Sequence, residues 1–251
     1  QKADPDGSSA NLLLGDMHRR AGDLRQAVRV YGSTRSPAGL DRIAELLTEM
    51  PAAVEPRELL ASCPIKGGLL LVARELARAG EYDRAEDSFK RALRIDPKLS
   101  RARNNYAAFL FFLGRYDEAE PEFVLVAEDS LYSGRPLAYI NLGMSRLNLQ
   151  NNAGAEDAFS RALRMDRRNP IALLEMGYLR LAAGDVAGAQ SYYGVYRTVV
   201  PRQSPRGFML GIEVSRASGD KDAQSSYELA LRNLYPDSQE YQTLQAQQGL
   251  Q

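Results

Sequence analysis

Three residue types return along this chain of 251 residues at a nearly constant interval, and no other feature restricts its fold as strongly. A small residue stands at Gly15, Ala73, Ala107, Gly143, Gly177 and Gly211. Twelve positions later comes an alanine each time: Ala27, Ala85, Ala119, Ala155, Ala189 and Ala223. Four positions beyond that comes an aromatic: Tyr31, Phe89, Phe123, Phe159, Tyr193 and Tyr227. From the second triplet onward the steps are 34, 36, 34 and 34 residues. Six ordered triplets in register do not arise by chance.

A period near 34 residues with this order is the signature of the tetratricopeptide repeat, a helix–turn–helix unit that stacks on its own copies. The expected fold is an all-α tetratricopeptide-repeat solenoid, a right-handed superhelix of antiparallel helix pairs. The repeats fall at 8–37, 66–99, 100–135, 136–169, 170–203 and 204–237. A polar tether (1–7) precedes them and a C-terminal capping helix or tail (238–251) follows. Helix A of each repeat carries the first small residue; helix B carries the alanine and the aromatic. The small residues belong where helix axes approach most closely, and a Leu there would push the helices apart. The aromatic fills the wedge between one repeat and the next.

The turns are also legible. Gly22, Gly80, Gly114, Gly184 and Gly219 each end a helix A, where a left-handed residue closes the last turn without a Cβ penalty. An acidic residue follows in AGD, AGE and SGD, near the start of helix B, where it complements the helix dipole. Pro97, Pro201 and Pro236 come just after a helix B and prevent its continuation. The repeat at 136–169 reads QNNAGA instead of a glycine turn, and Asn151 or Asn152 is expected to take the left-handed conformation. Residues 38–65 do not fit the period. They read as two short helices broken at Pro51 and Pro56, a degenerate or inserted helical pair.

Composition narrows the function. The 32 Lys and Arg balance the 32 Asp and Glu, which argues against a nucleic-acid or anionic-membrane partner, since either would favour a basic surplus. No run of 18 apolar residues offers a transmembrane helix. The polar opening QKADPDGSSA reads as a tether or trimmed terminus, not a secretory signal. A single cysteine excludes an internal disulfide and a cysteine-based metal cluster. That residue, Cys63, ends LLASC, which resembles a lipobox, but the charged, proline-broken stretch upstream favours a helix-end thiol. The one histidine, His18, lies beside Arg19 and Arg20 in the first helix A and reads as solvated or groove-facing. KGGLL at 66–70 lacks the spacing of a phosphate loop. Carboxylates are scattered over helix surfaces, where i to i+4 pairing with Lys or Arg is the ordinary explanation. RALRMDRR, Arg161 to Arg168, is a basic patch that reads as a solvated outer face. No catalytic constellation, metal site or cofactor site is expected, and the chain reads as a binding protein, not an enzyme.

In a solenoid the helix A surfaces line a continuous concave groove. Projecting helix A residues that do not serve the core gives an expected lining. From the N-terminus it holds Leu12, Asp16, Arg19, Leu70, Arg74 and Arg78, and the repeat from Ser100 adds Asn104, Asn105, Ala108, Phe111 and Phe112. Ile140, Asn141, Met144 and Asn148 follow, then Leu174 and Tyr178, then Phe208 and Ile212. Asparagines among apolar and aromatic neighbours suit an amphipathic helix or an extended apolar peptide, with amides free to bond its backbone.

Finer detail points to one family. RARNNYAAFLFFLGRYDEAEPEF (101–123), AEDSLYSGRPLAYINLGM (127–144) and MLGIEVSRASGDKDAQSSYELALRNLYPDSQEYQ (209–242) resemble, in order, an NNYG-F helix, a linker two residues longer than usual, and an LYP-S-EYQ ending. These are features of the type IV pilus biogenesis pilotins, the PilF/PilW family of six-repeat lipoproteins. The resemblance implies a non-enzymatic scaffold on the periplasmic face of the outer membrane, held by an N-terminal lipid anchor. It implies a protein partner, the secretin subunit, whose localisation and multimerisation it would promote. The alternative is a general periplasmic adaptor for another envelope complex. Residues 38–65 have no family counterpart, which leaves open where along the array secretin would be engaged.

Overall fold

The computed structural model describes residues 68–249 together with Asp16, Arg19, Gln26, Ala27, Val30 and Arg42. The tether, most of the first repeat, the helical pair at 38–65 apart from Arg42, and Leu12, His18, Gly22, Pro51, Pro56 and Cys63 lie outside the described residues. The chain divides into two compact bodies, Gln1–Arg115 and Tyr116–Gln251. Every regular element among the described residues is helical.

The first body contains α1 (Gly68–Arg78), α2 (Tyr82–Ile95) and α3 (Ser100–Phe112). The second contains α4 (Tyr116–Glu128), α5 (Arg135–Asn148), α6 (Asn152–Met165), α7 (Pro170–Ala182), α8 (Val186–Val199), α9 (Pro205–Ser218), α10 (Lys221–Leu234) and α11 (Gln239–Gly249). Each helix packs chiefly on its sequence neighbours: α1 on α2 and α2 on α3, then α4 on α5 and onward through α9 on α10, with α11 against α9. This is the all-α tetratricopeptide-repeat fold that the periodicity predicts.

The triplet residues form the interior. Ala73, Ala85, Ala107, Ala119, Ala155 and Ala189 are wholly buried, as are the rings of Phe89, Phe123 and Phe159. On α6 the buried set Ala155, Ala158, Phe159 and Ala162 follows i, i+3, i+4, i+7, one apolar stripe of a helix whose other faces are polar. A Cβ added at Gly143 would lie 2.6 Å from the Phe159 ring, so the small residue exists to admit the aromatic. Gly211 plays the same part for Tyr193 of the preceding repeat. Phe89 sits 5.8 Å from Tyr106 and 5.3 Å from Phe109, the inter-repeat wedge expected of it. At the last triplet Ala223 and Tyr227 are only half-buried.

Five turns repeat one hydrogen-bond pattern. Gly184 N–H donates to Leu181 C=O and Asp185 N–H to Arg180 C=O; Gly80, Gly114 and Gly219 with their successors do the same. All four glycines have positive φ. The turn at QNN corrects the expectation for Asn151 or Asn152: Gln150 is the left-handed residue, at φ 60°. Asn151 is needed one step later, where its side chain accepts the Gly154 N–H at 2.9 Å as the N-cap of α6. Asp185 and Asp220 cap α8 and α10 in the same way, so their acidic side chains act through a specific bond to Gly188 and Ala223 besides the dipole. Glu81, one methylene longer, makes no cap bond and turns to Arg84 instead.

Candidate functional site

In the first body, helices α1 and α3 are the helix A elements and touch one another. On α3 the residues Arg101, Ala108 and Phe112 are exposed at near-helical spacing, with Asn104 and Asn105 between them. Phe112 is 70% exposed, its ring 6.2 Å from that of Tyr82. Phe111 is half-buried instead. Asn104 is 8% exposed, and its Oδ1 is buried with no hydrogen-bond partner. An orphan acceptor in that position costs free energy until something donates to it. On α1, Arg74 and Arg78 are exposed, whereas Leu70 is interior. Asp16 and Arg19 are helical and half-buried, with Arg42 Nε 3.7 Å from the Asp16 carboxylate.

In the second body the helix A elements are α5, α7 and α9. Here the expected lining needs correction at Ile140 and Leu174, and equally at Phe208 and Ile212: all four are buried in the interior. They project towards neighbouring helices because the apolar stripe of a helix A is wider than its triplet residue alone. Asn141 and Met144 are half-buried, and exposed Asn148 donates to the Met144 carbonyl at 2.8 Å. Tyr178 is held in place. Its hydroxyl donates to the Arg206 carbonyl at 2.7 Å, and the Arg206 guanidinium lies 4.8 Å from its ring centroid. The same guanidinium forks the Glu175 carboxylate, with Nη2 2.7 Å from Oε2 and Nη1 on Oε1. Burial pushes the Tyr178 hydroxyl well above its usual range, with the nearby Glu213 carboxylate adding to it. Burial likewise raises the Glu213 carboxyl, which the Arg216 cation partly offsets.

Among the described residues no group of His, Cys, Asp or Glu is placed to hold a metal ion, and no helix is long and apolar enough to cross a membrane.

Residues 76–129 and 140–201 match tetratricopeptide-repeat families. The type IV pilus assembly protein PilF of Pseudomonas aeruginosa is 34% identical over 163 residues, 65% of this chain and 64% of PilF. The solved structure of P. aeruginosa PilF superposes over 96% of this chain and 97% of its own, with TM-score 0.71 and 28% identity. The chain is a tetratricopeptide-repeat relative of PilF and PilW. PilW, described as a widely conserved type IV pilus biogenesis factor, superposes over 94% of this chain and 97% of its own, with TM-score 0.65 and 26% identity. The sequence match spans about 64% of the length of the PilF it aligns with.

Two features of this PilF and PilW relative escaped the sequence reading. Leu137 and Ile171, one repeat apart at the starts of α5 and α7, are large apolar residues about half exposed. Their spacing of one period was the available signal. The second is a ladder of ion pairs: Arg115 to Glu86 at 2.6 Å, Arg146 to Glu120 at 2.7 Å, and Arg180 to Glu156. Each glutamate directly follows a triplet alanine, Ala85, Ala119 or Ala155, and reaches the following repeat. With buried Glu175 and Arg206, these pairs correct the expectation that carboxylates serve mainly i to i+4 pairs.

Proposed function

We propose that this chain is a non-enzymatic scaffold of type IV pilus biogenesis that binds the secretin subunit on its helix A surfaces. In doing so it promotes secretin localisation and multimerisation at the outer membrane. The observation that carries the binding role is Phe112, a large ring left exposed on helix α3. A peptide laid there buries the ring. The likeness to PilF and PilW supports the pilus setting. On this reading the protein works on the periplasmic face of the outer membrane through an N-terminal lipid anchor. It takes no cofactor and no nucleic acid.

The test is co-purification of secretin and counting of secretin multimers in the outer-membrane fraction. Phe112→Glu removes about 1.5–3 kcal/mol of apolar burial, enough to weaken capture roughly ten- to hundred-fold. Asn104→Leu removes a desolvated acceptor, so it should leave the fold intact or firmer. Folded Phe112→Glu protein that captures secretin as wild type does, with multimers unchanged, would refute the proposal.

A further inference from the structure

A second surface lies on the helix B side of the second body. Helices α6 and α8, with the start of α7, enclose an open cleft of about 680 Å³, within the size range of small-ligand and peptide-side-chain pockets. Leu163, Leu173, Tyr192 and Val195 supply its apolar wall, and Arg164 and Arg167 stand at its edge. Leu173 belongs to the buried core cluster, and Leu163 and Tyr192 pack against that cluster, so the wall is rigid.

Both arginines are exposed, and among the described residues neither has an ion-pair partner. The carboxylates within reach are engaged elsewhere. Asp157 holds Arg161 at 2.8 Å, and Glu156 holds Arg180. Asp166 accepts the Arg168 N–H at 3.1 Å and the Asn169 amide at 3.4 Å. Helix α8 contains no acidic residue at all. From 158 to 203 the chain has seven arginines against three carboxylates, although the whole chain is neutral. The basic surplus is therefore local, and it borders an apolar hollow.

We propose that this cleft is a second docking site, taking a short acidic peptide segment whose apolar side chains alternate with its carboxylates. The two guanidinium forks take the carboxylates bidentately, as a planar anion requires. The Leu163–Leu173–Val195 wall takes the side chains between them. A flat anionic membrane would reward a broad basic plane; it gains nothing from a concave apolar wall behind two arginines. The site shares no residue with the Phe112 surface proposed for secretin.

The probe is a fluorescein-labelled peptide of alternating leucine and glutamate, titrated by anisotropy into the whole protein. A leucine–lysine peptide and phosphatidylglycerol vesicles serve as comparators. The acidic peptide is expected to bind, and more weakly as salt rises. The double variant Arg164→Glu/Arg167→Glu, changed only at exposed positions, should weaken it at least tenfold with an unchanged melting curve. Ser191→Trp fills the cleft without altering charge and should weaken it similarly, whereas Phe112→Glu should leave it unchanged. Equal binding of the lysine peptide would overturn the proposal, as would an unaffected double variant or loss of binding in Phe112→Glu. Arginine-dependent sedimentation with the vesicles, in place of peptide binding, would assign the patch to a membrane surface instead.

Discussion

Arg206 should be the most consequential charged residue of the second body, and its loss should be far more damaging than the loss of its partner. The side chain of Glu175 is 3% exposed and that of Arg206 is 45% exposed. Replacing Arg206 by Met leaves an almost wholly buried carboxylate without its counter-charge and strips the cation from the Tyr178 face. Removing one partner of a buried pair costs about 3–5 kcal/mol. The lower end, about 3 kcal/mol, applies here because the guanidinium side of the pair is open to solvent. Glu175→Met reverses the situation: Arg206 turns to water, and the buried position gains an apolar residue of similar volume. That change should cost about 1 kcal/mol or less. The double variant should then cost about as little as Glu175→Met alone, giving a coupling of about 3 kcal/mol in a double-mutant cycle. Urea unfolding followed by far-ultraviolet circular dichroism measures each variant. Hydrogen exchange of the α7 and α9 amides shows whether the loss is local to this body. Equal costs for the two single variants, or an Arg206→Met cost below about 1 kcal/mol, would refute the reasoning that burial asymmetry governs the pair.

Gln150→Gly should stabilise the protein by about 0.5 kcal/mol, the relief of a left-handed side chain less the extra freedom of glycine in the unfolded chain. Gly184→Ala, at φ 78°, should cost about 1 kcal/mol in the same urea assay. The Arg115 guanidinium, aided by Lys90 and Tyr106, holds the Glu86 carboxyl at about 2, below its ordinary 4.5. A lowered folded value means stability that is present above about pH 4.5 and lost as pH falls towards 2. Arg115→Gln should therefore cost about 1–2 kcal/mol at pH 7, and its gap from wild type should close across that acid window.

The turns show how far local chemistry reaches. Gly80, Gly114, Gly184 and Gly219 are readable because a positive φ selects glycine wherever it occurs. Gln150 is not readable in that way. Its conformation is imposed by the spacing of the flanking helices and by the cap bond that Asn151 must make. The lining divides similarly. Phe112 and Met144 carry surface-compatible positions in a helical projection, but Ile140, Leu174, Phe208 and Ile212 fall in the same projection and are interior. A projection gives the angle around one helix; whether a neighbour covers that angle depends on helices one repeat away.

The amino-acid order alone determined the repeat, its period, the helix ends and the residues that let helices approach, because each follows from contacts within about one period of chain. Pairing across repeats was decided only in three dimensions: Glu175 with Arg206, the Glu86, Glu120 and Glu156 ladder, the orphaned Asn104 oxygen, and the arginine-edged cleft. Burial, desolvation and the presence of a counter-charge are properties of what surrounds a side chain, and in a stacked array the surroundings come from the next repeat.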